Sequence, residues 1–486
     1  MEQIKALSYA VRLPVLAKYL GQLAVVMGAL MAVPLLVSVY FAEYFLTVRY
    51  VAIVVGLMAL GFPLSRLRAS AAIQSNEALV ITGLAFILSP LIMAYPFTAV
   101  GIPYLDSLFE AVSGVTTTGL STLATVADKP HTFLFSRAWM QWYGGLGIVV
   151  LSVALLMGHG AATRRLVDPE LSNESLAVAT RIHARRVLRV YAVLTVIGAA
   201  LLWALTGDGF AAITHTLAAV STGGFSSFDD SVAGFAQWPA RFLVIGLGLC
   251  GAVSLPMYYR VYQGGWRQAL GDVELRGLLV MLVLVSATLA WLLIRTDGAS
   301  WETLSHAVFL AVSAQTTTGF ASLPVAALDP GAKVVLIISM VIGGSVGSTA
   351  GGIKILRLLI LLRLLQLTIR RIALPSHAVV QAQLGGRRLD DDDLLKALLL
   401  ITLFGVVILL SWFPFVAAGY DPLNALFEVV SATATVGLST GITHSGLSPF
   451  LKAILCMDML AGRLEIVALL IVLYPGTWFG KRAESS

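Results

Sequence analysis

A short pattern of hydroxyl residues followed by glycine recurs four times in this chain, and it constrains the fold more than any other feature. In each copy an apolar run ends in Ser or Thr residues, and a glycine with a bulky apolar residue behind it follows. The glycines lie 95 to 118 residues apart, which is the spacing of an internal repeat. They are Gly119, Gly224, Gly319 and Gly437.

The composition indicates a membrane environment for these repeats. The chain has 486 residues, 58% of them hydrophobic and 12% charged. That charged share is about half of what a soluble domain carries. Apolar stretches recur along the whole length, so we interpret the first as a resident helix rather than a signal peptide. The net charge of +6 lies in short clusters between apolar runs, which argues against nucleic acid as a partner.

The run before each glycine is too short to cross a bilayer. About 11 helical residues cover roughly 16 Å, half of the hydrocarbon core. The C-terminal end of such a re-entrant half-helix carries partial negative charge, which favours a cation beyond it. Glycine then allows the backbone to turn its carbonyls inward. Four such loops around one axis would form a ring of carbonyl oxygens that replaces the water shell of a monovalent cation.

The candidate filter residues are the three positions that end at each glycine. They are Thr117, Thr118, Gly119, Thr222, Gly223, Gly224, Thr317, Thr318, Gly319, Thr435, Val436 and Gly437. The second copy leaves two candidates for its filter glycine, Gly223 and Gly224. For a single copy an ordinary helix stop is the simpler interpretation of Thr-Gly. The fourfold recurrence favours a selectivity filter.

We predict an all-α integral membrane fold with four pseudo-symmetric helix–pore loop–helix repeats around a central pore. An N-terminal two-helix hairpin precedes them. The predicted boundaries are 1–69 for the hairpin and 70–165, 166–265, 266–385 and 386–486 for the repeats. With one outer and one inner helix in each repeat, the count is ten spanning segments plus four re-entrant loops.

A glycine-rich stretch interrupts the third inner segment between residues 343 and 354. Each glycine costs a helix about 1 kcal/mol relative to alanine. Irregular backbone at membrane depth is tolerated only where protein or a water-filled cavity satisfies it. We therefore expect a gating loop under the filter, with the candidate residues Gly344, Gly347, Gly351, Gly352 and Lys354. A phosphate-binding loop would need a Gly-Lys-Ser/Thr ending and a preceding strand, whereas close helix packing stays open.

Arg463 lies within the predicted fourth inner span, 451–474. A cation at membrane depth costs about 3 kcal/mol or more, which suggests a use for it. On its own helix neither Asp458 nor Glu465 faces it. Arg463 therefore either faces the pore and repels permeating cations, or forms an ion pair with another helix.

Charge predicts the orientation of the chain. Basic residues follow the inner segments: Arg164, Arg165, Arg181, Arg185, Arg186, Arg189, Arg260, Arg267, Arg276, Lys354, Arg357, Arg363, Arg370, Arg371, Arg387, Arg388, Lys481 and Arg482. The filter-side connectors carry acidic residues: Asp106, Asp128, Asp208, Asp229, Asp230, Asp329 and Asp421. By the positive-inside rule the filters face outward and both termini are cytoplasmic. The acidic residues would concentrate cations at the outer mouth.

Other functions find less support in the sequence. The two cysteines, Cys250 and Cys456, lie in apolar runs, and the seven histidines show no metal-ligand spacing. No nucleophile and base can be assembled, so we do not expect an enzyme. A coupled secondary transporter with broken helices is the main alternative to a channel-like pore.

The four filter glycines, the loop from Gly344 to Lys354 and the run Ala461-Gly462-Arg463-Leu464-Glu465 together resemble the Trk/Ktr/HKT potassium transporter superfamily. The chain looks most like bacterial TrkH-type membrane subunits, over essentially its whole length. The resemblance implies K+ uptake across the bacterial inner membrane by a homodimer with one pore in each protomer. K+ would be the transported, filter-bound ion.

The resemblance also implies a separate cytoplasmic nucleotide-binding regulatory subunit of the TrkA/KtrA type. In the family, the counterpart of Arg463 acts as a positive barrier just inside the filter. The strictness of K+ over Na+ selection stays open, as does the choice between passive transport and coupling to H+ or Na+.

Overall fold

A computed structural model describes residues 10–68, 74–158, 176–372 and 383–479. The helices of the hairpin and the first two repeats are α1 Leu13–Tyr40, α2 Tyr44–Ser65, α3 Ser75–Phe97, α4 Tyr104–Val115, α5 His131–Gly158, α6 Leu176–Thr206, α7 Gly209–Val220, α8 Trp238–Ala252, α9 Leu255–Gly264 and α10 Arg267–Gly271. The remaining elements are α11 Val273–Asp297, α12 Trp301–Gln315, α13 Pro330–Val341, α14 Ile355–Ile372, β1 Gln383–Leu384, β2 Arg387–Arg388, α15 Asp391–Ala417, α16 Pro422–Thr433, α17 Pro449–Arg463, α18 Val467–Leu473 and α19 Pro475–Phe479.

Some predicted features fall outside the described residues. They are Arg164, Arg165, Lys481, Arg482 and the repeat boundaries after residues 69 and 165. The repeat boundaries stay predictions.

By length and composition, six of the described helices are able to cross a membrane. They are the hairpin helices α1 and α2 and the helices α3, α6, α11 and α15, which begin the four repeats. Large apolar side chains cover their outer faces; Leu36, Val196 and Leu410 are about two-thirds exposed. A surface of that kind is stable only against lipid. The predicted all-α membrane fold is confirmed.

A short half-helix follows each of these four outer helices. The half-helices are α4, α7, α12 and α16, and they have 12 to 15 residues. Three of them begin at a capping side chain: Asp208, Ser300 and Asp421 each accept a backbone N–H from the first turn. The cap satisfies a donor that the helix cannot use itself. Each half-helix ends directly before a predicted filter segment.

The inner segments of the second and third repeats are interrupted. The prediction of one unbroken inner helix is wrong for the second repeat, because α8 ends at Ala252 and α9 leaves it at an angle of 86°. Pro256 stands in the first turn of α9 and lacks the N–H that would continue the preceding helix. The third segment breaks between Val341 and Ile355, at the glycine-rich stretch.

The inner segment of the fourth repeat is also broken, where the sequence predicts one helix. Helix α17 ends at Arg463 and α18 begins at Val467. Between them the backbone φ is 54° at Glu465 and 61° at Ile466. Positive φ at a β-branched residue is a rare conformation that the surrounding structure must enforce. The prediction of an uninterrupted inner helix is therefore wrong for the second and fourth repeats, whereas the break in the third was predicted.

The packing of the half-helices closes the four repeats into a ring. Each inner segment contacts the half-helix of its own repeat and that of the next one. The contacts between repeats join α5 with α7, α8 with α12, α13 with α16, and α17 with α4. Because the last of these joins the fourth repeat to the first, the four half-helices surround one axis.

Candidate functional site

The four predicted filter segments share one backbone conformation. In each, a threonine takes a φ between 51° and 55°, and a glycine two residues later takes a φ between 78° and 96°. The threonines are Thr117, Thr222, Thr317 and Thr435, and the glycines are Gly119, Gly224, Gly319 and Gly437. By this conformation Gly224, and not Gly223, is the counterpart of the other three glycines.

The left-handed threonines distinguish these segments from ordinary helix ends. A helix stop usually places glycine in the left-handed position, because a Cβ there costs about 1–2 kcal/mol. Here that position holds a β-branched residue four times, and its backbone N–H still bonds to the end of the half-helix. Strain repeated in this way is characteristic of functional sites. The helix-stop interpretation does not explain it.

Each filter glycine packs against a carbonyl of the next repeat. A Cβ added to the glycine would overlap the carbonyl oxygen of the residue before the next repeat's glycine. The overlaps are Gly119 with Gly223, Gly224 with Thr318, Gly319 with Val436, and Gly437 with Thr118. The fourth contact returns to the first repeat, so the glycines and carbonyls form a closed ring. No side chain fits at any of the four glycines.

The second repeat departs from this regularity at Gly223. The other repeats carry Thr118, Thr318 or Val436 at the same position. The Gln141 side chain fills this space: its Nε2 donates to the Gly223 carbonyl at 2.5 Å. Its Oε1 accepts the N–H of Phe225, one residue past the filter glycine, at 3.1 Å. A Cβ at position 223 would overlap the Gln141 amide, so glycine is required there.

Two buried glutamates brace the outer ends of the first and fourth filter segments. Glu110 accepts the Ser121 hydroxyl at 2.6 Å, and Glu428 accepts the Ser439 hydroxyl at 2.5 Å. Arg137, 3% exposed, pairs with Glu110 at 2.9 Å. Among the described residues Glu428 has no such ion pair. Sequence reasoning missed both glutamates, although each stands nine residues before its filter glycine.

A cavity of about 590 Å³ lies on the side of the filter away from the glycine-rich loop. All four filter glycines line it. Its charged lining residues are Asp229, Asp230, Glu302, Arg137 and Arg241. The cavity therefore opens directly onto the ring of glycines and carbonyls.

Most of the acidic residues expected at this mouth have other roles. Asp208, Asp329 and Asp421 cap helices. Asp106 is buried and pairs with Lys452 at 2.5 Å. Of the seven acidic residues predicted to attract cations, only Asp229 and Asp230 line the cavity. The sequence could not separate these roles because a capping and a free aspartate look alike.

The glycine-rich loop contacts the left-handed threonines of three repeats. The N–H of Gly351 donates to Thr317 Oγ1 at 2.7 Å. Thr222 Oγ1 lies 3.3 Å from Thr349 Oγ1. A Cβ on Gly351 would overlap Thr435 Oγ1. The loop therefore lies directly against the filter, on the side opposite the cavity.

The other predicted loop residues hold this conformation. Gly347 and Gly352 have φ of 75° and 64°, which favours glycine. A Cβ on Gly344 would come within 2.6 Å of a carbonyl oxygen of α8. Lys354 is 6% exposed and donates to the carbonyl of Ala350, within the loop.

The break in the second inner segment binds this loop. Three backbone hydrogen bonds of 3.0–3.1 Å join residues 345–349 of the loop to residues 251–255. The N–H and carbonyl groups freed where α8 ends thus find their partners in the loop, as membrane burial requires. The break after α8 and the glycine-rich loop thus satisfy each other's backbone hydrogen bonds.

Arg463 is buried without a carboxylate. Its Nη1 donates to the Thr349 carbonyl at 2.8 Å, and its Nη2 lies 3.5 Å from the Gly144 carbonyl. Its Nε has no hydrogen-bond partner. Among the described residues Arg463 has no ion pair, whereas Glu465 pairs with Arg357 at 2.5 Å. Within the described part of the chain, the ion-pair alternative for Arg463 finds no partner, and the guanidinium bonds to backbone carbonyls instead.

The repeated half-helices, the ring of filter segments and the loop against it define a multi-pass α-helical membrane transport protein. The family profile described as "TrkH: Cation transport protein" matches residues 53–295 and 296–475. The chain belongs to this family of cation transport proteins, which are not enzymes. The resemblance inferred from the sequence is confirmed.

Individual relatives match over nearly the full length. The Trk system potassium uptake protein TrkH of Escherichia coli K12 is 30% identical over 485 residues, covering 95% of this chain and 99% of that protein. The Trk system potassium uptake protein TrkI of Halomonas elongata is 30% identical over 480 residues, covering 95% and 96%. The crystal structure of the potassium transporter TrkH from Vibrio parahaemolyticus superposes with a TM-score of 0.86 at 26% identity, covering 96% and 100%.

Proposed function

We propose that this protein takes up K+ across the bacterial inner membrane through a channel-like pore. The observation that carries the proposal is the closed ring in which each filter glycine packs against a carbonyl of the next repeat. A ring of carbonyls at fixed separation replaces the hydration shell of a monovalent cation. The potassium-uptake names of the E. coli and H. elongata relatives support K+ as the ion.

The filter consists of the twelve residues predicted from the sequence, with Gly224 as the filter glycine of the second repeat. The half-helices end at these segments, so their negative dipole ends point toward a cation on the axis. Gln141 holds the Gly223 carbonyl of the second repeat in place.

The glycine-rich loop and Arg463 form the gate. The loop is hydrogen-bonded to Thr317 of the filter and to the break that follows α8. The guanidinium of Arg463 is tied to this loop through the Thr349 carbonyl. A positive charge held there raises the barrier for a cation that leaves the filter.

The assembly and orientation complete the proposal. Basic residues cluster on the loop side of the ring, which supports a cytoplasmic location for that side and for both termini. The protein works as a homodimer, and a separate nucleotide-binding subunit of the TrkA/KtrA type docks on the cytoplasmic side. Membership of the family and the name "Trk system" of the relatives support a multi-component system.

The decisive experiment measures Rb+ and Na+ uptake into liposomes that contain the purified protein. We expect Rb+ uptake well above Na+ uptake, and competition of K+ with Rb+. Equal uptake of the two ions, or none above empty liposomes, would contradict the proposal.

A coupled symporter is the second candidate, because three of four inner segments are broken and broken helices are typical of coupled carriers. The same liposomes decide between the two. An imposed pH or Na+ gradient that drives K+ uphill would indicate coupling, whereas a passive pore only lets K+ follow its own gradient.

A further inference from the structure

The chain between α8 and α11 lies on the loop side and is tied to the loop at both ends. We call residues 255–274 the surface segment. At its start the N–H of Leu255 donates to the Gly347 carbonyl at 3.1 Å. Near its end Glu274 Oε2 accepts the N–H of Val346 at 2.7 Å. A movement of the segment therefore pulls directly on the loop.

One face of the surface segment packs on the protein, and the other is exposed. Leu255 and Met257 are buried, and the Tyr258 hydroxyl donates to the Cys250 carbonyl at 2.8 Å. By contrast Tyr262 is 88% and Trp266 65% exposed. Because α9 leaves α8 at 86°, it lies along the membrane surface if α8 crosses the bilayer. Exposed Tyr and Trp on such a helix are typical of the bilayer interface.

Arginines surround these aromatic residues. Six stand on the segment, on the adjoining end of α6 and at the start of α11: Arg185, Arg186, Arg189, Arg260, Arg267 and Arg276. Helix α9 packs on α6, and Arg186 stacks over the Tyr259 ring at 4.3 Å. The described residues of this region include two carboxylates, Asp272 and Glu274, and Asp272 pairs with Arg260 at 3.3 Å. Even without Arg186, the described residues of this region include more arginines than carboxylates, which favours an external anion.

We propose that the surface segment binds anionic phospholipid headgroups, and that this contact holds the loop against the filter and lowers cation flux. The arginine surplus complements lipid phosphates, and the exposed aromatic side chains suit the headgroup level of a bilayer. The exposed apolar area of Tyr262, Trp266 and Leu270 lies on or next to a helix that runs along the membrane plane, and this position favours the bilayer over a soluble subunit. The flux effect rests on the proposed role of the loop, whereas the lipid site does not.

Trp266 provides a test of binding that does not require transport. The fluorescence of Trp266 is obtained by subtracting the emission of Trp266→Phe from that of the wild-type protein, both in phosphatidylcholine vesicles. We expect brominated phosphatidylglycerol to quench it more than brominated phosphatidylcholine does. Removing one arginine should weaken this preference about fivefold, so Arg185→Gln with Arg267→Gln should weaken it about 25-fold. Equal quenching by the two lipids, or no quenching by either, would overturn the lipid site.

Rb+ uptake tests whether lipid binding lowers cation flux. We expect wild-type uptake to fall several-fold when phosphatidylglycerol replaces part of the phosphatidylcholine, and the double arginine variant to respond little. Arg370→Gln is the matched control, because Arg370 is exposed on α14 outside the segment. An unchanged lipid response in the double variant, together with loss of binding to a cytoplasmic regulatory subunit, would make this a protein-docking surface instead. No uptake in any lipid would contradict the proposed transport function, while the quenching preference would still decide the lipid site.

Discussion

The four filter segments share one backbone, whereas the chain directly beneath them differs in every repeat. In the filter layer each repeat supplies a left-handed threonine and a glycine that packs on its neighbour. In the lower layer the first inner segment is continuous, the second bends, the third forms a loop and the fourth breaks beside Arg463.

The difference follows from what each layer contacts. In the proposed filter an ion on the axis would meet all four repeats at the same height, so the repeats would have to supply equivalent oxygens. The loop, by contrast, comes from one repeat only, so the repeats that contact it do so through different groups. It takes backbone bonds from the second repeat, a hydroxyl from the third and a guanidinium from the fourth.

Gly319→Ala is expected to have the largest effect on the filter layer. The new Cβ overlaps the Val436 carbonyl, so the ring has to open. We expect Rb+ uptake to fall by at least about tenfold, which corresponds to about 1.4 kcal/mol of barrier. Gly441→Ala is the matched control, because Gly441 has a φ of 91° but no atom within 4 Å of the added Cβ. If both variants lost uptake equally, backbone strain would explain the loss and the ring contact would not.

Arg463→Ala tests the lower layer. Removing the buried charge should lower the barrier below the filter and raise uptake on the order of tenfold, with ion selectivity unchanged. The measurement is the initial Rb+ uptake rate per folded protein, with the exposed Arg370→Ala as control. A slower rate in well-folded Arg463→Ala protein would show that the guanidinium supports the pore rather than restricts it.

Thr317 and Thr117 occupy equivalent positions in the third and first repeats, and comparing them tests the loop contact separately from the filter. Thr317 Oγ1 accepts the N–H of Gly351, whereas Thr117 Oγ1 is buried without a partner. Thr317→Val leaves a buried N–H unpaired, at a cost of about 1–3 kcal/mol to the loop position. We expect a few-fold faster uptake for Thr317→Val and little change for Thr117→Val. Equal effects of the two variants would mean that the loop bond does not hold the gate.

The smallest effect is expected for Val436→Thr, which copies the side chain of the first and third repeats. There the threonine before the glycine bonds to a second threonine, as Thr318 does to Thr316 at 2.6 Å. The fourth repeat has Ala434 instead, so the new hydroxyl is unpaired and destabilises the fold by about 1–3 kcal/mol. Ala434→Thr in addition should restore the melting temperature. The selectivity for Rb+ over Na+ should be the same in both variants, because the Val436 carbonyl is unchanged. A changed selectivity would show that the side chain at position 436 contributes to ion selection.

The four segments that share one backbone could be located from the sequence because they are repeated. Four glycines at similar spacing identify them, and the glycine-rich stretch identifies the loop. The left-handed position of Thr317 and its equivalents is not visible in the sequence, since threonine usually avoids it.

The other breaks depend on contacts between distant residues. Pro256 could have indicated the bend after α8. By contrast, no glycine or proline lies between Arg463 and Val467, where the backbone is fixed by its surroundings. Gln141 was missed for the same reason, because only the folded chain brings it to Gly223.

The contact between the fourth and first repeats has a consequence for how the ring assembles. Gly437 meets Thr118 in the same way as the covalently connected repeats meet each other. The peptide connections are therefore not what closes the ring. Two polypeptides divided between α11 and α12, close to where the family profile itself divides at residue 296, should find each other in the membrane and form the same ring. The two pieces would then assemble through the same glycine–carbonyl contacts that close the ring in the intact chain.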